Sequence, residues 1–201
     1  MSDEVLFPIK ERSELYIFLD YCNESNQEKK ILECGTGREV VSSIFYQNGY
    51  ETYGIDISEE TIQEAIEWCE KHNFKIHLQK GDMRNIPFEN ESFSFVFASG
   101  SIIFMNKIDI ALSIKEMARV LKPNGLCFVN FNSADIIDEH EYNEKSKEIF
   151  GCDRASYHEN NEADEYFDDF IILRKEKRNL EEFNGYFNDK IAVIDYIVKK
   201  K

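Results

Sequence analysis

From residue 30 onward, the pattern of hydrophobic and polar positions changes repeatedly between one typical of strands and one typical of helices. Short apolar runs typical of strands are separated by stretches in which apolar residues recur at helical spacing. The predicted strands are Lys30–Cys34, Thr52–Asp56, Lys75–Gln79, Phe93–Ala98 and Leu126–Phe131. The predicted helices are Glu39–Asn48, a helix capped by Ser58, and Asp109–Leu121. This alternation predicts an α/β fold of the Rossmann-like, doubly wound type, with a mostly parallel sheet and helices on both faces.

The two ends of the chain have different patterns. Phe170–Phe183 and Tyr186–Lys199 are strand-like and flank Asn184-Gly185, a strong hairpin signal. We therefore expect seven strands, the last of them antiparallel. Ile9–Cys22 predicts an N-terminal helix, and a further short helix is predicted over Glu162–Phe167.

These patterns predict one domain with four parts. Residues 1–29 would form a lid helix, residues 30–132 a cofactor-binding core, residues 133–169 a variable segment on the substrate side, and residues 170–201 a terminal β-hairpin. If the first part is a lid, deletion of Met1–Asn23 should reduce turnover more than stability.

Composition narrows the possible partners. The 201 residues carry a formal net charge of −15, which disfavours nucleic acid and favours a neutral or cationic small molecule. The five cysteines form no C-x-x-C pair, so they fit a reducing, cytoplasmic setting. No apolar run approaches the roughly 20 residues that span a membrane. No group of His, Cys and Asp residues has the spacing of a metal site. The sequence does not indicate an oligomeric state.

Two features at predicted strand ends point to a cofactor. Glu33-Cys34-Gly35-Thr36-Gly37 closes the first strand, and glycines there let a ligand approach the backbone. Asp56 closes the second strand and can accept both hydroxyl hydrogens of a ribose. The third glycine of a dinucleotide fingerprint is replaced by Val40. Glu33 suits a positively charged ligand, such as the sulfonium and amino groups of S-adenosylmethionine.

At this point four ordered stretches resemble the class I S-adenosylmethionine-dependent methyltransferases, of the broad type-11 kind. They are Ile31–Gly37, Gly54–Ser58, Gly81–Met83 with Ile86–Phe88, and Leu121–Gly125. The resemblance covers about residues 30–132, and the terminal hairpin suits the family's reversed last strand. It implies S-adenosylmethionine as cofactor and methyl transfer as activity.

The resemblance also implies which residues bind the cofactor. Asp82 would accept the adenine N6 hydrogens, Met83 would flank the ring, and Ser99-Gly100-Ser101 would lie beneath the transferable methyl. The complete predicted set is Glu33, Gly35, Thr36, Gly37, Asp56, Ile57, Ser58, Asp82, Met83 and Ser99. The Asn/Asp-Pro-Pro-aromatic motif of nucleic-acid amino-methyltransferases does not occur at Ala98–Ser101.

The chain departs from the family at two positions. Glu39 replaces the usual third glycine, where we expect it to cap its own helix, and Ser94 replaces an Asp. Two alternatives stay open: a non-catalytic S-adenosylmethionine-binding protein and a nucleotide-dependent oxidoreductase. No catalytic residue is assigned. Weaker candidates are Arg12 and Tyr16 for the cofactor carboxylate, and His140 and Tyr142 as a general base.

Overall fold

The computed structural model describes residues 13–37, 41–134, 147, 155–180 and 191–201. Its helices are α1 (Ser13–Glu24), α2 (Ser42–Gln47), α3 (Glu59–His72) and α4 (Lys107–Val120). Its strands are β1 (Lys30–Cys34), β2 (Glu51–Asp56), β3 (His77–Lys80), β4 (Phe93–Ala98), β5 (Leu121–Ser133), β6 (Tyr157–His158), β7 (Phe170–Leu180) and β8 (Ile191–Lys200). Two 3-10 helices span Ile102–Phe104 and Glu162–Phe167.

The strands form one sheet in the order β3-β2-β1-β4-β5-β8-β7, and β6 pairs with β5 beside this path. β8 is antiparallel to both β5 and β7, whereas β1 to β5 run parallel. The predicted Rossmann-like α/β class is therefore confirmed, including the reversed last strand. Strand β6 is additional to the seven predicted strands. It was not predicted, because its two residues, Tyr157 and His158, are too few to show a strand period in the sequence.

Both faces of the sheet are covered, as β4 illustrates. All six of its residues are buried. Phe95 and Phe97 pack on the side of α1 and α2, while Val96 and Ala98 pack on the side of α4. A continuous apolar run is what a central strand with two covered faces requires.

The described part of the N-terminal helix belongs to the core. Leu15 and Phe18 of α1 are completely buried, and the Phe18 ring lies 5.7 Å from Phe97 and 6.0 Å from Phe128, between ring centroids. The structure therefore does not support a lid role for Ser13–Glu24. The mixed polarity of this helix predicted its existence but not the surface that it covers.

Local capping explains where two helices begin. Ser58 accepts a hydrogen bond from Thr61 N, which confirms it as the N-cap of α3. α4 starts two residues before the predicted Asp109, because the Asn106 side chain accepts a hydrogen bond from Asp109 N. β5 follows α4 directly, so it begins before the predicted Leu126. It also continues past the predicted Phe131, because Asn132 and Ser133 pair with β6.

The end of the chain forms an antiparallel pair, as the predicted hairpin requires. Leu180 lies opposite Ile191, and the proposed turn Asn184-Gly185 falls outside the described residues. None of the helices in the described ranges is long and apolar enough to cross a membrane.

Candidate functional site

The site forms where the strand order reverses, between β1 and β4. Open α/β sheets bind ligands beyond the carboxyl ends of strands at such a point. Gly35 follows β1 with a φ of +79°, and a Cβ added to it would lie only 2.4 Å from Ser101 Cβ. Gly100, which follows β4, also has a positive φ, of 70°. The two chain segments can approach this closely because glycines stand at both strand ends.

A cavity of about 260 Å³ opens at this point. Its walls come from the segments that follow β1, β2, β3 and β4 and from the start of α4. The lining residues are Gly35, Gly37, Asp56, Ile57, Gly81, Asp82, Met83, Arg84, Gly100, Ser101, Phe104, Met105 and Asp109. Six residues of the predicted cofactor set are among them: Gly35, Gly37, Asp56, Ile57, Asp82 and Met83.

The Asp56 carboxylate is fixed in place by backbone donors. Gly37 N donates to Asp56 Oδ2 at 3.0 Å, and Ser58 N donates to Asp56 Oδ1 at 2.9 Å. A carboxylate offers about four lone-pair sites, so each oxygen keeps the capacity to accept one more hydrogen bond. Asp56 therefore links the glycine turn to the end of β2 and still presents two acceptors.

Asp82 and Met83 form another part of the wall, together with a residue that was not predicted. Arg84 Nη2 donates to Asp82 Oδ2 at 2.6 Å, and Arg84 Nη1 donates to Asp109 Oδ2 at 3.3 Å. The hydrogen bonds from Arg84 to Asp82 hold the pKa of Asp82 below its usual value. The contact between Arg84 and Asp109 spans 25 positions of the chain, and no local pattern in the sequence indicates it.

Four residues of the predicted set lie beside the cavity, not on its lining. Glu33 is buried, and its Oε2 accepts a hydrogen bond from Ser42 N at the start of α2. Thr36 donates to Ile55 O, and Ser58 caps α3. Ser99 lies within 3.5 Å of the Asn130 amide nitrogen. In this structure the contacts of these side chains support the turns that shape the cavity, and their direct contact with a cofactor stays a prediction.

The loop beneath the cavity is held by β5. The Asn130 side chain, which is buried, accepts a hydrogen bond from Gly100 N at 2.9 Å. Asn132 in turn donates to Ile103 O at 2.5 Å, in the segment that follows β4, and to Ser156 O at 3.2 Å. Sequence reasoning missed both residues, although two buried asparagines at the end of an apolar strand are a signal that such groups must find partners.

Most of the weaker candidates fall outside the described ranges. Arg12, Glu39, Val40, His140 and Tyr142 lie outside the described residues. Tyr16, the proposed partner of Arg12, is 42% exposed on α1 and does not line the cavity.

The chain is similar in sequence to known methyltransferases. Residues 31–125 match a family model described as "Methyltransferase domain". A demethylmenaquinone methyltransferase of Staphylococcus haemolyticus is 41% identical over 76 residues, which are 38% of this chain and 30% of that protein. The putative methyltransferase YqeM of Bacillus subtilis is 33% identical over 110 residues, which are 54% of this chain and 43% of that protein.

Solved structures agree with the fold. The crystal structure of a SAM-dependent methyltransferase from Methanosarcina mazei superposes with a TM-score of 0.69 at 18% identity, covering 90% of this chain and 96% of that one. The match to the family model includes the four stretches identified in the sequence. The chain therefore resembles the methyltransferase-domain family over residues 31–125, and it shares the fold of a SAM-dependent methyltransferase. It spans less than half the length of the two curated relatives.

Proposed function

We propose that this protein transfers a methyl group from S-adenosylmethionine to a small-molecule acceptor by in-line displacement. The observation that carries the proposal is the cavity at the β1–β4 switch point, around which six residues of the predicted cofactor set meet. The methyltransferase domain over residues 31–125 supports the same reading.

The cavity has features that fit this cofactor. Gly35 leaves a space that a Cβ would fill, next to Ser101 Cβ and Met83 Cε. Ser101 Oγ is buried and has no hydrogen-bond partner among the residues that the structure describes. A buried hydroxyl without a partner costs about 1–3 kcal/mol, so the site favours a ligand with polar atoms at this position.

Charge on the lining also fits a cationic ligand. The lining includes three carboxylates, Asp56, Asp82 and Asp109, against one guanidinium, Arg84. S-adenosylmethionine carries a sulfonium and an ammonium group near one carboxylate. An excess of negative charge around an enclosed site raises the local concentration of such a ligand.

Each part of the lining then has a distinct task. Asp56 presents two free acceptor sites to the ribose hydroxyls, and Asp82 accepts from the adenine amino group. Ile57 is 57% exposed and Met83 is 9% exposed, so both can give up contact with water when an aromatic ring packs against them. These tasks follow the residues that the family resemblance implies.

Bound S-adenosylmethionine would supply the activated methyl group. The chain supplies proximity and alignment, which are worth roughly 7–11 kcal/mol in well-oriented reactions. Phe104 and Met105 add an apolar wall on the side of the cavity that follows β4. With the net charge of −15, this lining favours a small neutral or cationic acceptor over a nucleic acid.

A methyl-transfer screen tests this function. The protein is incubated with S-adenosylmethionine carrying a labelled methyl group and with fractionated metabolite pools, and Asp56→Ala is the matched control. We expect label in the small-molecule fraction with the unaltered protein and much less with the variant. Label in nucleic acid or intact protein would contradict the small acceptor, and cofactor binding without transfer to any pool would favour a non-catalytic binding protein.

A further inference from the structure

Arg84 lies on the cavity wall between two carboxylates. Its Nε is 3.0 Å from each oxygen of Asp82, and its Nη1 is 3.3 Å from Asp109 Oδ2. All three residues line the cavity. Asp82 follows β3, whereas Asp109 lies in the first turn of α4. The guanidinium therefore joins two separate walls of the site.

The donors of Arg84 use most of the Asp82 carboxylate. Arg84 N donates to Oδ1 at 2.9 Å, Nη2 donates to Oδ2 at 2.6 Å, and Nε is shared between the two oxygens. A carboxylate has about four lone-pair sites, so three donors leave roughly one acceptor direction. The planar fork of the guanidinium also fixes the plane of the carboxylate.

A carboxylate held in this way is an acceptor with a fixed direction. The hydrogen bonds from Arg84 lower the pKa of Asp82, so the group stays ionised and has no hydrogen to donate. It can bind a purine whose edge offers an amino hydrogen. It repels a purine that offers a carbonyl oxygen at the same place, because two acceptors then face each other.

We infer that Arg84 is a positioning residue that makes the cavity selective for a 6-aminopurine over a 6-oxopurine. This inference rests on the proposed use of S-adenosylmethionine and adds the residue that sets base selectivity. Without Arg84, the Asp82 carboxylate is free to rotate, so its remaining acceptor direction toward a 6-amino group is no longer fixed.

Arg119 provides a matched control, because it supports the same loop without touching Asp82. Its Nη2 donates to Ile86 O at 2.9 Å, and its Nη1 donates to Phe88 O at 2.8 Å. It is paired with Glu116 and does not line the cavity. Its loss should therefore loosen the loop while leaving the donors around Asp82 in place.

The experiment compares S-adenosylhomocysteine with S-inosylhomocysteine, in which a 6-oxo group replaces the 6-amino group and N1 carries a hydrogen. Calorimetry gives both dissociation constants for the unaltered protein, Arg84→Gln, Arg84→Lys and Arg119→Gln. We expect the unaltered protein to prefer the adenosyl compound by about 10-fold to 100-fold. Arg84→Gln should lose most of this preference. Arg84→Lys, which keeps the charge without the fork, should fall between them, and Arg119→Gln should keep the full ratio.

Thermal unfolding of each variant shows whether it is folded. A folded Arg84→Gln protein with an unchanged ratio of the two dissociation constants would overturn the inference. Tighter binding of S-adenosylhomocysteine by Arg84→Gln than by the unaltered protein would also overturn it, because Arg84 would then be blocking Asp82. If Arg84→Gln does not fold, an unchanged ratio in Arg84→Lys would have the same consequence. Failure of the unaltered protein to bind S-adenosylhomocysteine at all would instead overturn the proposed function, and the inference with it.

Discussion

Gly35→Ala is the substitution with the most clearly defined cost in this structure. Its φ of +79° belongs to the left-handed region, where a side chain costs about 1–2 kcal/mol. The new Cβ would also lie 2.4 Å from Ser101 Cβ, so the loop after β4 must move. Overpacking of this kind costs about 1–3 kcal/mol. We expect a total loss of about 2–5 kcal/mol in the free energy of unfolding.

Gly49→Ala separates the two contributions. Gly49 has a φ of +81°, but an added Cβ would meet no atom within 4 Å, and the residue does not line the cavity. This variant should lose only the backbone contribution of about 1–2 kcal/mol. Urea unfolding of both variants therefore isolates the contact with Ser101.

Ligand binding provides a second comparison of Gly35→Ala with Gly49→Ala. Displacement of Ser101 from the cavity floor should weaken S-adenosylhomocysteine at least about 10-fold in Gly35→Ala, a loss of about 1.4 kcal/mol. Gly49→Ala should bind as the unaltered protein does. Equal stability and equal affinity of the two variants would refute the close approach of the strand ends that defines the site.

Three further substitutions test other parts of the account. Asp56→Ala should weaken S-adenosylhomocysteine by about 1.5–3 kcal/mol in calorimetry, because two charge-assisted bonds are lost, and an unchanged affinity would leave Asp56 as a strand-end cap only. Phe18→Ala should cost about 3–5 kcal/mol in urea unfolding, because its ring is fully buried in the core; a loss below about 1 kcal/mol would restore the lid reading of this helix. Arg178→Met should cost about 3–5 kcal/mol at pH 7, because it leaves the buried Glu14 and Asp195 without their shared cation. Burial already raises the pKa of Asp195, so this cost should shrink as the pH falls through that raised pKa toward 3.8, and a cost independent of pH would contradict the charge explanation.

The sequence predicted the central elements well, because their burial leaves a strong pattern. β1 and β4 begin and end at the predicted residues, since each is a short apolar run with covered faces. Asp56 and the glycine turn lie together, since the parallel strands β1 and β2 end at the same edge of the sheet.

Contacts between distant segments could not be predicted in this way. Nothing in the sequence distinguishes Arg84 and Asp109 from other charged residues, and only the fold brings them together across the cavity. The surface that α1 covers could not be predicted for a related reason. Its polar positions, such as the exposed Tyr16 and Asp20, reveal an amphipathic helix but not the surface against which Leu15 and Phe18 pack.

Calorimetric titration of the unaltered protein tests the central claim most directly. S-adenosylmethionine, S-adenosylhomocysteine and NAD are each titrated under the same conditions. We expect saturable binding of both sulfur compounds at one site and no comparable binding of NAD, because the described lining offers carboxylate acceptors that suit ribose and adenine but repel a pyrophosphate. Tighter binding of NAD than of either sulfur compound would contradict the assignment.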